Sequence, residues 1–374
     1  MEVRVISIET IKPSSPTPPH LRTFELSLLD QMNMDGHFPL ILFYSGGCEN
    51  TTKTSHHLKK SLSQTLTHNY PFSGRVKDNL FVDCDDSGAS FFEANVSCKM
   101  SDILKRVELD QLEKLLPFQD NKLKLYTGGI MVIVQVNYFS CGGVAISIYF
   151  KHVIADAFAA AIFIKTWATI ACARSNYNIK DTVYSCASIF PPQDLPLQQL
   201  WRTSVENNFA LGETVSKRPT RFEAITALIW GAAIAAGRER EDFKAKNVAL
   251  IPVSLRHKLN LASPEQCIGN VGQATMAKWP TEKTINYNSL AGKLNEAIMM
   301  MDENYARKLN EGGGFMSDLR DLNEEISDSN VFFITNACDG GGLEALVGLP
   351  KEDMTRFEKN PDIIAYASSF NPSI

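Results

Sequence analysis

The chain has 374 residues, of which 44% are hydrophobic and 21% charged, and its 37 Lys and Arg against 42 Asp and Glu give a formal net charge of −5. This length predicts two domains, and the composition is that of a globular protein and excludes a disordered or fibrous one. Because the chain is mildly acidic and has no block of basic residues, nucleic acid and anionic membrane surfaces are excluded as its main partners.

The first hundred residues predict a mixture of strands and helices. Val3 to Ile11 is typical of a strand, and the apolar stretch from Phe91 to Ala94 predicts another. Between them, Leu58, Leu62 and Leu66 recur every four residues, which is the spacing of one apolar face of a helix.

The middle of the chain carries the strongest local pattern. Two stretches rich in β-branched residues, Ile130 to Phe139 and Val144 to Phe150, are separated by a short Gly-containing turn and predict a β-hairpin. His152 follows its second strand. An Ala- and Ile-rich helix is predicted from Ala157, with Asp156 as its N-cap. A polar side chain in such a turn between a strand and a helix is held rigidly.

A proline-containing, polar stretch predicts a linker over residues 196–215, between domains of residues 1–195 and 216–374. Helices, a strand and a second hairpin are predicted beyond it. The helices are predicted at Phe222 to Ala236 and at Ser289 to Lys308, and the strand at Val248 to Val253. The hairpin is predicted from Val331 to Ile334 and from Leu343 to Val347. Because strands and helices recur in both halves, an α/β fold is predicted.

The eight cysteines contain no CxxC pair, so neither a zinc site nor a thioredoxin-like motif is predicted. We expect buried free thiols in a reducing, cytoplasmic compartment. The longest uncharged stretch, Leu125 to Phe150, is interrupted by polar residues and a turn, so it predicts β-structure and no membrane span.

His152 and Asp156 form an HxxxD spacing, which alone is a weak signal. One reading makes His152 a general base, because an imidazole with an ordinary pKa of about 6.5 is neutral yet basic near physiological pH. The other reading is a histidine at the edge of the core, followed by an aspartate that only caps a helix. The spacing does not decide between them.

Several further segments, spread along nearly the whole chain, add to the evidence of this motif. They are Leu26-Ser27-Leu28-Leu29-Asp30, Tyr70-Pro71-Phe72-Ser73-Gly74-Arg75, Val134 to Asn137, Thr220-Arg221-Phe222-Glu223-Ala224, Ser254-Leu255-Arg256 and Gly269-Asn270. With them the sequence resembles the plant BAHD acyltransferases, and within that family the vinorine synthase-like alkaloid acetyltransferases.

The resemblance implies a two-domain, chloramphenicol-acetyltransferase-like α/β fold, with mixed β-sheets flanked by helices and a channel between the domains. It implies an acyl-CoA, such as acetyl-CoA, as co-substrate and a small-molecule alcohol or amine as acceptor. It also implies a monomer without a permanently bound cofactor or a metal. His152 would remove the proton from the acceptor.

The resemblance also suggests roles for other residues. Asp156 would be structural and paired with Arg256, although an orienting contact to His152, as in a catalytic triad, stays open. Thr220 and Arg221 lie at a predicted helix start, where amide groups and a cation can hold the phosphates of CoA. A plain helix cap is the alternative reading for them.

The sequence departs from the family in two places. The DFGWG motif that relatives carry before the strand at Val331 is absent, and the chain is short between Pro196 and Ser216. Several tens of residues are therefore missing. Two function classes stay open, namely an acyltransferase that acetylates a hydroxyl of a plant specialised metabolite, and an impaired homologue that binds small molecules or partners without turnover.

Overall fold

The computed structural model describes residues 1–33, 36–45, 51–105, 108–117, 129–172, 185–193, 218–239, 247–259, 267–280, 283–310, 331–336 and 343–367. The chain divides into two compact units. The first comprises Met1–Asp194, Asn260–Val271 and Ser373–Ile374, and the second comprises Leu195–Leu259 and Gly272–Pro372.

The strands of the described residues are β1 (Val3–Ile11), β2 (Thr23–Glu25), β3 (His37–Tyr44), β4 (Arg75–Lys77), β5 (Phe81–Asp83), β6 (Ala89–Val96), β7 (Val132–Phe139), β8 (Val144–Lys151), β9 (Asn247–Ser254), β10 (Gly272–Trp279), β11 (Val331–Asn336) and β12 (Leu343–Gly348). The helices are α1 (Leu28–Gln31), α2 (Thr51–His68), α3 (Met100–Leu104), α4 (Leu109–Lys114), α5 (Ala157–Ala171), α6 (Arg221–Arg238), α7 (Tyr287–Met300), α8 (Glu303–Asn310), α9 (Lys351–Phe357) and α10 (Pro361–Tyr366).

A five-stranded mixed sheet forms the centre of the first unit. Its order is β1-β6-β7-β8-β3, and every neighbouring pair is antiparallel except β6 with β7. The predicted hairpin is confirmed as β7 and β8, whose residues are buried along their whole length. Such double-sided burial explains why most residues of both strands are apolar. The polar exceptions, Gln135, Asn137, Ser147 and Lys151, are buried as well.

Helices α2 and α5 pack together beside this sheet. Phe163 of α5 makes edge-to-face contacts with Phe150 of β8 and with Phe72. The indole nitrogen of Trp167 donates a 2.9 Å hydrogen bond to the hydroxyl of Ser61 in α2. These contacts fix α5, and with it the turn that enters it, against the end of β8.

The second unit contains the antiparallel pairs β9–β10 and β11–β12. Trp230 of α6 and Leu290 and Leu294 of α7 are buried in a cluster with Trp279 of β10. The predicted linker at 196–215, the residues before Val331 where relatives carry DFGWG, and the turn of the second hairpin lie outside the described residues.

The prediction of one helix from Ser289 to Lys308 is wrong, because two helices, α7 and α8, cover this stretch. The backbone leaves the helical region at Met301, with ψ of 54°. The carboxylate of Asp302 then accepts a 2.8 Å hydrogen bond from the amide of Tyr305 and so caps the first turn of α8. Apolar spacing continues across this break, which is why periodicity alone overlooked it.

The expectation of eight free, buried thiols is also wrong. Cys186 and Cys267 are joined in a disulfide, because a short 3₁₀ turn at Cys186–Ser188 lies beside residue 267 within the first unit. Of the cysteines described as free, Cys84 is buried, whereas Cys141 and Cys172 are exposed. No helix among the described residues is long and apolar enough to cross a membrane.

A buried ionic cluster ties α2 to the sheet. The Glu93 carboxylate in β6 accepts hydrogen bonds from Lys59 at 2.6 Å, from Ser7 at 2.8 Å and from Tyr138 at 2.9 Å. Burial alone would raise the pKa of Glu93, but hydrogen bonds from Lys59, Ser55, Ser7 and Tyr138 together lower it to about 2. The folded protein therefore strongly favours the ionised carboxylate.

We predict that Glu93→Gln lowers the free energy of unfolding by about 2–3 kcal/mol at pH 7, because hydrogen bonds to a buried charge are lost. Since the pKa of Glu93 is lower in the folded state, its contribution is present above the ordinary pKa of 4.5 and is lost as the pH falls towards 2. Urea unfolding measures both effects.

The matched control is Glu9→Gln. Glu9 contacts the same Lys59 at 2.7 Å, but its side chain is 50% exposed. A surface pair of this kind contributes about 0–1 kcal/mol. An equal loss of stability in the two variants would contradict the assignment of Glu93 as the anchor.

Candidate active site

The last strand of the central hairpin delivers His152 into a tight turn. β8 ends at Lys151, the amide of Ile154 donates a 3.2 Å hydrogen bond back to the Lys151 carbonyl, and α5 begins at Ala157. The three residues after His152 are buried. This geometry keeps a half-buried histidine between a rigid strand and a rigid helix.

The imidazole of His152 stands against an aromatic neighbour. The ring of Phe38 in β3 meets it edge to face at a centroid distance of 5.1 Å, and the amide of His152 donates a 2.8 Å hydrogen bond to the Gly36 carbonyl. Nδ1 of His152 is buried and has no hydrogen-bond partner within the described part of the chain. That nitrogen is therefore shielded from water by packing and not by a carboxylate.

Asp156 directs its carboxylate at backbone amides. One oxygen accepts a 2.8 Å hydrogen bond from Ala159, which makes Asp156 the N-cap of α5, as predicted from the sequence. The other oxygen accepts a 3.2 Å hydrogen bond from Val271. A triad-like contact to Nδ1 of His152 is not formed among the described residues, so these contacts favour a structural role for Asp156.

A distant segment, residues 269–271, docks on this turn. Gly269 forms a parallel bridge with Ala155, and the side-chain amide of Asn270 donates a 2.7 Å hydrogen bond to the carbonyl oxygen of His152. Gly269 has a φ of +110°, which favours glycine. With Val271 bonded to Asp156, each of the three residues contacts the turn.

The docking segment rests in turn on Asp30, which is fully buried in α1. One oxygen of Asp30 accepts hydrogen bonds from the backbone amide of Asn270 at 2.6 Å and from its side chain at 3.0 Å. The other oxygen accepts from the amide of Ser27 at 2.9 Å and from its hydroxyl at 2.7 Å. Burial raises the pKa of Asp30 to about 6 although all four hydrogen bonds favour the carboxylate.

The other predicted site residues lie in the second unit. Thr220 caps α6, because its hydroxyl accepts a hydrogen bond from the Glu223 amide while the Glu223 carboxylate accepts one from the Thr220 amide. Arg221 is exposed in the first turn of that helix, and Arg256 is fully buried. Among the residues described, no group of three or more His, Cys, Asp or Glu is arranged to hold a metal.

Sequence reasoning missed Asp30 and Asn270 as parts of the histidine site. Both were noted only as segments of a family resemblance, and they are separated by 240 residues. The one local signal is the S-x-x-D spacing of Ser27 and Asp30, which forms a capping box at α1. That signal predicts a helix start and says nothing about His152.

Comparison with known proteins gives a consistent result. A family model described as the transferase family matches residues 1–206 and 197–311. Epi-neemfruitin B synthase of Melia azedarach is 40% identical over 98% of this chain and 99% of its own length, and a limonoid 21-O-acetyltransferase of the same species is 39% identical over the whole of both.

Vinorine synthase of Rauvolfia serpentina is 31% identical over 83% of this chain and 79% of its own length. Its crystal structure superposes with a TM-score of 0.76 at 28% identity, covering 95% of this chain and 96% of that chain. This likeness confirms the predicted mixed α/β fold class.

The comparison also bears on the expected shortening. The alignment with the Melia azedarach limonoid 21-O-acetyltransferase spans 429 positions and covers both chains fully, whereas this chain has 374 residues. At least 429 − 374 = 55 aligned positions therefore hold no residue of this chain. The difference is internal to the alignment.

Proposed function

This chain belongs to the BAHD acyltransferases, and from that premise we propose that it transfers an acetyl group from acetyl-CoA to a hydroxyl of a plant specialised metabolite, with His152 as general base. The observation that carries the proposal is the placement of His152. Its backbone is hydrogen-bonded on both sides, by Gly36 and Asn270, and its half-buried ring packs against Phe38 in the turn between β8 and α5.

The proposed reaction balances without a covalent enzyme intermediate. Nε2 of His152 takes the proton of the acceptor hydroxyl, because Nδ1 is buried. The acceptor oxygen forms a bond to the thioester carbonyl carbon, and the resulting oxyanion collapses with cleavage of the carbon–sulfur bond. The CoA thiolate leaves and receives the proton from the imidazolium, which restores the neutral base.

The nature of the acceptor is proposed from the relatives. The two proteins of Melia azedarach, one of them named as a limonoid acetyltransferase, are about 40% identical to this chain, whereas vinorine synthase is 31% identical. We therefore favour a hydroxyl of an oxygenated terpenoid, such as a limonoid, over an alkaloid hydroxyl.

For Asp156 we propose the structural role and a pairing with Arg256. Both oxygens of Asp156 already accept backbone hydrogen bonds, and Arg256 is a buried cation for which a carboxylate partner is expected. For CoA, we propose that Arg221 contributes charge to phosphate binding near Thr220. The hydroxyl of Thr220 is occupied by the Glu223 amide, so its own role is the cap.

The second candidate function is a homologue impaired in turnover that still binds small molecules. It is favoured by the 55 or more aligned positions that this chain lacks and by the absence of DFGWG. We further propose that the chain acts as a monomer in the cytoplasm.

We predict that His152→Ala lowers acetyl transfer by about 100- to 10,000-fold, because the general base is lost while the fold is retained. Thiol release from acetyl-CoA with a panel of terpenoid and alkaloid alcohols measures it. The control is His257→Ala, which removes an exposed histidine. Near-normal transfer by His152→Ala would overturn the mechanism.

We predict that Asp156→Ala and Arg256→Ala each destabilise the protein by about 3–5 kcal/mol. The first leaves the buried cation of Arg256 without its proposed partner, and the second leaves the half-buried carboxylate of Asp156 without it. A double-mutant cycle by urea unfolding measures the coupling, and a coupling of zero would show that the two residues are not partners.

We predict that this chain binds CoA more weakly than the Melia azedarach limonoid acetyltransferase, because this chain lacks the DFGWG motif that the family resemblance implies before Val331. Isothermal titration with CoA compares the two proteins. Insertion of a DFGWG-bearing segment after Asn330 is expected to raise the CoA affinity and the melting temperature together, whereas a scrambled insertion of equal length raises neither. Equal affinities of the two natural chains would contradict the prediction.

A further inference from the structure

We propose that Asn270, held in place by Asp30, is a positioning residue that fixes the backbone of His152 and thereby aims its imidazole. The proposal rests on one element of the function proposed above, namely that His152 is the general base. The observation that carries it is the 2.7 Å hydrogen bond from the Asn270 side chain to the His152 carbonyl.

The turn at His152 has little backbone support of its own. The ladder between β3 and β8 ends at the pair His37–Lys151, and α5 begins at Ala157. The amide of His152 is held by Gly36, and its carbonyl is held by Asn270. Removal of the Asn270 amide would therefore leave this carbonyl without that partner at the residue that bears the base.

The orientation of the Asn270 amide is determined by its neighbours. Its nitrogen lies 2.7 Å from the His152 carbonyl oxygen and 3.0 Å from a carboxylate oxygen of Asp30, and both of these atoms can only accept. The atom between them must therefore be the NH₂ group, and each of its two hydrogens has one acceptor. The side chain is thereby fixed in a single rotamer.

Asp30 joins the start of α1 to Asn270. Four donors from Ser27 and Asn270 converge on its two oxygens, and no Lys or Arg of the described chain forms an ion pair with it. A neutral asparagine at position 30 would place an NH₂ group against one pair of these donors. Burying a carboxylate without a cation is unfavourable, and the four hydrogen bonds to Asp30 offset part of that cost.

Gly269 allows the approach of the two residues. A Cβ atom at this position would lie 2.9 and 3.0 Å from the two oxygens of Asp30, and its φ of +110° favours glycine as well. The segment is thus shaped so that Asn270 can reach Asp30 and His152 at once. These contacts lie within the first unit, so the device is complete there.

The test compares Asn270→Ala and Asn270→Asp with Glu93→Gln. Glu93→Gln is the matched control, because it breaks a buried network that does not touch His152. Asn270→Asp keeps the size of the side chain but replaces the donor by an acceptor facing the His152 carbonyl and Asp30. We expect it to be at least as damaging as Asn270→Ala.

The first measurement is hydrogen exchange of a peptide covering residues 151–156, which does not depend on turnover. Both Asn270 variants should speed its exchange about tenfold or more relative to the rest of the first unit. Glu93→Gln should leave this ratio unchanged. Unchanged local exchange in the Asn270 variants would overturn the proposal, even if wild-type protein proves inactive.

The second measurement is steady-state kinetics per folded molecule. Both Asn270 variants should lower kcat by about 10- to 100-fold, the effect expected of a base displaced by about 1 Å, with KM for acetyl-CoA changed by less than about twofold. A merely structural role would lower the melting temperature and leave kcat per folded molecule normal, as expected for Glu93→Gln, and would overturn the proposal. If the wild-type protein transfers acetyl groups and His152→Ala transfers them equally well, the proposed function is wrong. The hydrogen-exchange result then still decides this inference.

Discussion

The hydrogen bond between the side chain of Asn270 and the carbonyl of His152 is the contact on which the candidate active site depends. Strand pairing ends at Lys151 and helical pairing begins only at α5, so His152 lies between the two, where neither the sheet nor the helix provides a regular ladder of hydrogen bonds. Residues 269–271 supply the missing support, because each of these three consecutive residues contacts the turn. The rigidity of the histidine is therefore a tertiary property, although its motif is local in sequence.

Two buried carboxylates in the first unit show how such a contact is maintained. Glu93 faces the cation Lys59, and hydrogen bonds lower its pKa to about 2. The hydrogen-bond donors that face Asp30 among the described residues are all neutral, and burial raises its pKa to about 6. A carboxylate thus stabilises the fold at position 93, whereas the burial of the carboxylate at position 30 is unfavourable. The burial of Asp30 serves two contacts, the capping box with Ser27 and the positioning of Asn270.

Much of the fold could be predicted from the sequence where the pattern is short in range. The hairpin of β7 and β8, the apolar face of α2 and the N-cap at Asp156 all depend on residues within about twenty positions of one another, and spacing alone indicates them. The break between α7 and α8 was overlooked because apolar spacing continues past Met301, while the capping contact of Asp302 overrides it.

Contacts over long sequence distances could not be predicted in this way. Asn270 lies 118 residues from His152 and 240 from Asp30, and Cys186 lies 81 residues from Cys267. No periodicity links such positions, since only the folded chain brings them together. The resemblance to the family pointed to the segments of Asp30 and Asn270, yet it did not indicate that they meet.

For a chain that is shorter than its relatives, the integrity of the histidine site and the binding of a co-substrate are separate questions. The described contacts of His152 come from Gly36, Phe38 and Asn270, and none of these residues belongs to the stretches at 196–215 or before Val331 where the sequence is short. The described contacts of His152 are therefore independent of the stretches in which the chain is short. Under the proposed function, weakened binding of CoA and a displaced histidine would both lower turnover, but they have different physical signatures. The first responds to the concentration of CoA, and the second does not.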